Sequence, residues 1–201
     1  MIKFVIVGTS KSNDDCLYYS KERLKIWGSL HLAGVTSEYW QSEDEFRKKG
    51  TKDFANKHGF DFYDVLPLIE SSDKLLLNKL SAIEQHKTAQ ISAEVRQKSN
   101  STFNSLLFNG KTSFYYFSYF YLNEYFDIKN FKSHVKRIKK MFEKENVIYG
   151  KMTSNVSTRI FNSNQIKNIF ILPNTSGRIS GKPFDEFIWI KSIKESMEFE
   201  L

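Results

Sequence analysis

The chain has 201 residues, of which 40% are hydrophobic and 26% are charged, enough for one domain with a substantial core. A single cysteine, Cys16, excludes an internal disulfide framework and a four-cysteine metal site, and the four histidines lack ligand spacing. The sequence therefore predicts no metal and no cofactor. A formal charge of +7 favours an anionic partner such as nucleic acid, although a basic protein that is merely soluble fits the charge equally well.

Strand and helix patterns alternate along the chain. Strands are predicted at 2–7, 60–69, 103–108 and 167–172, and helices at 21–33, 75–97, 114–126, 129–144 and 187–197, with a surface helix or loop at 42–57. No repeat, linker, signal peptide or membrane-spanning apolar run interrupts this order. The alternation predicts one α/β domain over residues 1–201, a three-layer α/β/α sandwich with a small, mostly parallel sheet, in the cytoplasm.

Two of the predicted helices have distinctive compositions. The helix at 114–126 is aromatic, and we expect its side chains at helical spacing to be core residues rather than a ladder for stacking bases: Phe114, Phe117, Tyr121, Leu122 and Tyr125. The helix at 129–144 is amphipathic with a cationic side: Lys129, Lys132, Lys136, Arg137, Lys139, Lys140 and Lys144. That side is either a solvated face or a surface that tracks phosphates.

Three predicted strands end in polar loops that contain glycine. These loops span 8–13, 109–113 and 173–178. Because ligands of open α/β sheets bind beyond the carboxyl ends of the strands, the three loops predict one shared cleft.

The loops and their neighbours resemble a known family. A strand ending at Gly8 is followed by Tyr18, Tyr19 and Trp27; the segment 59–65 reads Gly-Phe-Asp-Phe-Tyr-Asp-Val; 107–111 reads Leu-Phe-Asn-Gly-Lys; and 172–178 and 187–191 follow in order. In order and spacing the chain resembles the uracil-DNA glycosylase superfamily, especially the mismatch-specific thymine/uracil and hypoxanthine branches. The resemblance implies a metal-free hydrolysis of the N-glycosidic bond of a flipped base.

The sequence departs from that family where the attacking water is held. The family's first signature reads Gly-x-Asn-Pro-Gly, with the asparagine positioning water, whereas Ser10 occupies that position here. Leu24 replaces the asparagine of the family's "NxFW" segment. Either another polar group positions the water, or the chain has lost activity.

The resemblance implies catalytic and base-binding roles for particular residues. Ser10, Asn13 and Asp14 lie in the first loop, where they would hold water or stabilise the cationic sugar, or where they merely turn the chain. Tyr19 would lie against the flipped base, or it is an ordinary half-buried tyrosine.

Asp64 aligns with the family's base-reading position. An ionised carboxylate only accepts hydrogen bonds, so it suits the exocyclic amino group of cytosine better than the edge of uracil. The alternative is a loop or helix-capping aspartate.

The remaining site residues follow the strands. Asn109 and Asn174 are expected to contact the base, and five residues are expected to contact DNA, with Arg178 filling the vacated stack: Lys11, Lys111, Thr175, Ser176 and Arg178. A Schiff-base role for Lys11 is disfavoured, because the family does not use one.

The sequence thus predicts a monomeric, monofunctional DNA glycosylase without an obligate protein partner. Its substrate is expected to be a modified or mismatched base derived from cytosine rather than plain uracil, with foreign DNA such as a phage genome as one hypothesis. A catalytically silent DNA-binding module is the alternative. A nucleotide-binding protein is a third interpretation, since Gly110-Lys111-Thr112 resembles the tail of a P-loop, but Ser105 stands where its first glycine belongs.

Overall fold

The computed structural model describes residues 2–10, 23–37, 51–66, 85–100, 105–162, 168–175 and 185–198. Five strands are present in these ranges: β1 Phe4–Ser10, β2 Phe60–Leu66, β3 Ser105–Asn109, β4 Gly150–Lys151 and β5 Asn168–Leu172. Seven helices accompany them: α1 Arg23–Leu32, α2 Lys52–Lys57, α3 Gln85–Asn100, α4 Lys111–Leu122, α5 Ile128–Lys144, α6 Ser154–Phe161 and α7 Glu186–Glu198.

The five strands form one sheet in the order β2-β1-β3-β5-β4. The first four are parallel, and the short β4 runs antiparallel to β5. The carboxyl ends of β2, β1, β3 and β5 therefore lie side by side along one edge. The predicted α/β class and the mostly parallel sheet are confirmed.

Side chains alternate between the two faces of the sheet and build two cores. Val5 and Val7 of β1 pack with α3, α4, α5 and α6, which we call the aromatic layer. Phe4 and Ile6 point the other way and pack with α1, α2 and α7, which we call the α1 layer. Side chains of β1, β3 and β5 alternate between the two layers with a period of two, whereas the adjacent Val65 and Leu66 at the end of β2 both pack in the aromatic layer.

Helix α4 is buried on almost every side, because it lies between the sheet and α5. The predicted core residues Phe114 and Phe117 are fully buried, and Tyr121 is half-buried. The same prediction was wrong for Leu122, which is 39% exposed, and for Tyr125, which is 53% exposed. Leu122 is the last residue of α4, and Tyr125 lies beyond the end of the helix.

Several boundaries differ from the predicted ones. β1 continues through Gly8 to Ser10 and pairs there with Leu66, so these residues belong to a strand rather than to a loop. Lys111 and Thr112 form the first turn of α4, not the loop before it. β4 and α6 were not predicted at all. Within the described ranges, no helix is long and apolar enough to cross a membrane.

Candidate functional site

Four residues of neighbouring strands lie in one row at the carboxyl edge of the sheet. Asp64 of β2 is paired with Gly8 of β1. Phe108 of β3 is paired with Val7 of β1. Because the strands are parallel, the next residues of the two strands, Asn109 and Gly8, lie side by side. Asn109 is in turn paired with Leu172 of β5. The strand pairing thus brings two predicted base-binding residues to the same height of the sheet.

The polar members of this row share one face. Phe62 of β2 and Leu107 of β3 pack in the α1-layer core. Asp64 lies two residues after Phe62, and Asn109 lies two residues after Leu107. Alternation therefore directs both side chains to the α1 layer. Two strand spacings of about 4.8 Å separate their backbones by about 10 Å. Gly8, which has no side chain, lies between the carboxylate of Asp64 and the amide of Asn109.

The Asn109 side chain is joined to Thr175 by two hydrogen bonds. Its Nδ2 donates to the Thr175 hydroxyl at 3.0 Å, and its Oδ1 accepts from the Thr175 backbone N–H at 3.0 Å. Thr175 is 1% exposed. The pair fixes the segment after β5 to the end of β3, because leaving either buried group unsatisfied would cost about 1–3 kcal/mol.

Two further residues hold the same segment. The Trp189 Nε1 of α7 donates to the Pro173 carbonyl at 2.9 Å, in the buried core. The Lys25 Nζ of α1 lies 3.4 Å from the Thr175 carbonyl, to which it donates. The start of the loop after β5, up to Thr175, is therefore held by β3, α1 and α7.

Gly110 is required by the close approach of Asn174. Its φ of +89° with ψ of 160° is a conformation that other residues rarely adopt. A Cβ at this position would lie 3.0 Å from Asn174 Nδ2 and 3.1 Å from Asn174 Cβ. The Gly110 N–H donates to the Leu172 carbonyl at 3.0 Å. Asn174 is thus seated directly over the turn between β3 and α4, close to Asn109.

Lys111 is turned away from this group. Its Nζ lies 5.6 Å from the ring centres of both Phe142 and Tyr149, a cation–π arrangement in the aromatic layer. It is therefore on the opposite side of the sheet edge from Asp64 and Asn109. A contact between Lys111 and DNA stays a prediction.

The segment 59–65 contains two aspartates with different environments. Asp61 is 2% exposed; its Oδ2 pairs with Lys98 Nζ at 3.3 Å, and its Oδ1 accepts from the Phe62 N–H at 2.8 Å. Asp61 is thus committed to holding α3 against β2. Asp64 is half-buried two residues before the end of β2, so it is the more exposed carboxylate of this segment.

Tyr63 lies between these two aspartates and stays neutral. Its hydroxyl is buried without a hydrogen-bond partner in the described part of the chain. Burial, and then the Glu94 and Asp64 carboxylates, raise its pKa above the ordinary value. Tyr63 therefore contributes ring packing to this end of β2 and no charge.

Several predicted site residues lie outside the described residues: Lys11, Asn13, Asp14, Tyr19, Ser176 and Arg178. Ser10 is described only in its backbone, which ends β1 beside Leu66. Of the predicted residues that are described, Asn109, Asn174 and Thr175 are brought together, Asp64 lies two strands away on the same face, and Lys111 is separated from them. Their contacts with base and phosphate stay predictions.

Sequence reasoning missed the residues that support the site. Asp61 and Lys98 are far apart in sequence, as are Lys25 and Thr175, so no local pattern could pair them. The tryptophan of α7 carried a usable signal, because a buried indole N–H requires an acceptor. The acceptor could be identified only once the register of β5 was known.

No protein-family model matches the chain, and no curated protein matches it.

Proposed function

We propose that the protein is a monofunctional DNA glycosylase that hydrolyses the N-glycosidic bond of a flipped base. The observation that carries this proposal is the row at the carboxyl edge of the sheet. There Asp64 and Asn109 flank Gly8 on one face, and the segment from Pro173 to Thr175 is anchored next to Asn109. A carboxylate acceptor and an amide on one face suit a planar base read along its edge.

The chemistry needs few groups. The bond between C1′ of the sugar and the base nitrogen breaks, its electron pair leaves with the base, and the base takes up a proton. Water adds its oxygen to C1′ and leaves an abasic site. The protein must hold the base and stabilise an oxocarbenium-like sugar. The candidates for positioning water are those that the sequence indicates, Ser10, Asn13 and Asp14.

The substrate we propose carries an exocyclic amino group, as cytosine and its modified forms do. Asp64 accepts hydrogen bonds and repels carbonyl oxygens when ionised, which disfavours the O4 edge of uracil. Asn109 can contribute to binding a base of either kind. Its amide uses one donor and one acceptor on Thr175, which leaves one N–H and one lone pair for a base.

A catalytically silent DNA-binding module is the second candidate function. The exposed cationic side of α5 supports it, because binding phosphate requires neither a base pocket nor a water. The replacement of the family's water-positioning asparagine by Ser10 is compatible with it too.

Base excision separates the two candidates. Duplexes that differ in a single modified or mismatched base, together with modified phage DNA, are incubated with the protein and then treated with alkali. Strand breaks at one class of base support the glycosylase. Tight duplex binding without any break on any substrate, including single-stranded ones, supports the silent module instead.

A further inference from the structure

The outer side of α5 is a continuous cationic surface. Lys129, Lys132, Lys136, Lys140 and Lys144 follow one another at intervals of three or four residues, so they form one line along the helix. Arg137 and Lys139 flank that line. The buried residues Phe131, His134, Ile138 and Phe142 occupy the opposite side. All seven cations are exposed; we call them the α5 surface.

Helix α5 carries a large local excess of positive charge. It contains seven cationic side chains and one carboxylate, Glu143. This local excess of six accounts for most of the formal charge of +7 of the whole chain. In the described part of the chain no carboxylate forms an ion pair with any of the seven. Unpaired charges of one sign in a line attract a polyanion rather than stabilise the fold.

One end of the α5 surface lies toward the carboxyl edge of the sheet, in the aromatic layer and therefore on the opposite side of the sheet from Asp64 and Asn109. Helix α4 starts at the carboxyl end of β3, and Lys111 and Phe114 in its first turn contact Phe142 near the end of α5. Farther along, Tyr116 stacks on Phe131 near the start of α5 at 4.5 Å. The two helices are therefore antiparallel, and the line of lysines runs from the candidate edge down the side of the domain.

We infer that the α5 surface binds the phosphate backbone of duplex DNA. From Lys129 to Lys144 the line is about 22 Å long at about 1.5 Å per residue, which matches six to seven base pairs at about 3.4 Å each. Lysine is suited to this contact because its flexible point charge meets phosphates without fixed geometry. The charge of the surface indicates a polyanionic partner, and the inference rests on the proposed function only in taking that partner to be DNA.

Two other partners fit the surface less well. A membrane-bound amphipathic helix inserts an apolar side into lipid, whereas the apolar side of α5 is buried under α4. Protein interfaces centre on aromatic or aliphatic anchors, and no large hydrophobic side chain of α5 is exposed. A purely ionic surface of lysines is the expected form of a contact that does not depend on sequence.

The test is the salt dependence of binding to an unmodified, fluorescently labelled duplex of about 20 base pairs, measured by anisotropy. The triple variant Lys136→Gln, Lys139→Gln and Lys140→Gln should weaken binding. It should also reduce the slope of log affinity against log salt by about 0.9 for each phosphate that is no longer neutralised, up to about 3 in total. The control variant Lys52→Gln, Lys57→Gln and Lys194→Gln removes the same charge from exposed lysines of the α1 layer, and it should retain most of the slope.

Equal slopes in the wild type and the α5 variant would overturn the inference, as would equal reductions in both variants, because net charge alone would then explain binding. Vesicles of anionic lipid are assayed in parallel, and binding to vesicles but not to duplex would also overturn it. These results are independent of excision. A reduced slope with no base released from any substrate would refute the glycosylase and leave the α5 surface intact.

Discussion

Asp64 and Asn109 present different hydrogen-bonding groups at the carboxyl edge of the sheet. Asn109 is fixed from both ends of its amide by Thr175, so its orientation is set before any ligand arrives. Asp64 is half-buried at the end of β2, where a carboxylate offers acceptors only. The site we propose therefore pairs a pre-oriented amide with an acceptor that reads an amino group.

Asp64→Asn should change substrate choice rather than DNA affinity. The amide keeps the shape of the carboxylate and adds a hydrogen-bond donor. Excision of a cytosine-derived base should therefore slow, with a loss of about 1–3 kcal/mol of transition-state stabilisation, and excision of uracil should become faster. Asp64→Ala should reduce excision of both. Duplex affinity should change little in either variant, because phosphate contacts dominate affinity. Single-turnover excision rates and anisotropy on the same duplexes measure both effects.

Asp53→Asn is the matched control, since Asp53 is an exposed carboxylate in the first turn of α2. It should leave the substrate profile unchanged. If Asp64→Asn leaves it unchanged as well, Asp64 is a structural residue, and the argument for a cytosine-type base fails.

Gly110→Ala should destabilise the protein more than Gly34→Ala. Both glycines have positive φ, +89° and +81°, so both substitutions are strained. A Cβ on Gly34 would meet nothing within 4 Å, whereas one on Gly110 would meet the Asn174 side chain at 3.0 Å. Backbone strain of about 1–3 kcal/mol is expected at Gly110 before that contact is counted. Urea unfolding of the two variants measures the difference, and equal destabilisation would contradict the close approach.

At the scale of elements, α4 and α5 meet through a buried polar pair. The Ser118 hydroxyl lies 2.8 Å from His134 Nε2, and the Tyr119 ring packs edge-on against the imidazole. Burial, helped by the neighbouring Arg137 charge, lowers the pKa of His134 to about 4. The imidazole is therefore neutral in the folded protein at neutral pH.

This interface should weaken as the pH falls below about 6.5. The unfolded chain protonates His134 near its ordinary pKa of about 6.5, while the folded protein resists until about pH 4. As the pH falls, the unfolded chain binds a proton at His134 before the folded protein does. The free energy of unfolding is therefore highest above pH 6.5 and decreases as the pH falls toward 4. The decrease between about pH 7 and about pH 5 should be about 2 kcal/mol. Urea unfolding at the two pH values measures it.

His134→Gln removes the titrating group and keeps a hydrogen-bonding side chain for Ser118. The variant should be less stable at neutral pH but should lose less stability on acidification than the wild type. Equal destabilisation by acid in both proteins would assign the pH dependence to other groups.

The elements that the sequence predicted are those with long, periodic patterns. Helix α5 was predicted almost to the residue, since seven cations and four buried residues alternate over 17 residues. The two-residue β4 has no period to detect, and it forms because Gly150 and Lys151 pair with Ile171 and Phe170 of β5. β1 extends to Ser10 because β2 continues beside it to Leu66, which is a tertiary effect.

For the whole molecule, the sequence predicted one cleft lined by the loops after β1, β3 and β5. The parallel strand order places the carboxyl ends of these three strands at one edge, and a shared cleft stays a prediction. The sequence could not predict which side chains meet there. The row of Asp64, Gly8 and Asn109 depends on strand register, and a slip of one residue would send the polar side chains to the aromatic layer. The Asn109–Thr175 pair likewise joins residues that only the fold brings together.

Release of a free base is the most direct test of the proposed function. The protein, in excess over matched duplexes containing cytosine, 5-hydroxymethylcytosine, uracil or a thymine–guanine mismatch, is incubated without added metal, and released bases are identified by mass spectrometry. We predict release of a base that carries an exocyclic amino group, little release of uracil, and an abasic site in the strand. A protein that binds these duplexes, and modified phage DNA, yet releases no base from any of them would contradict the account.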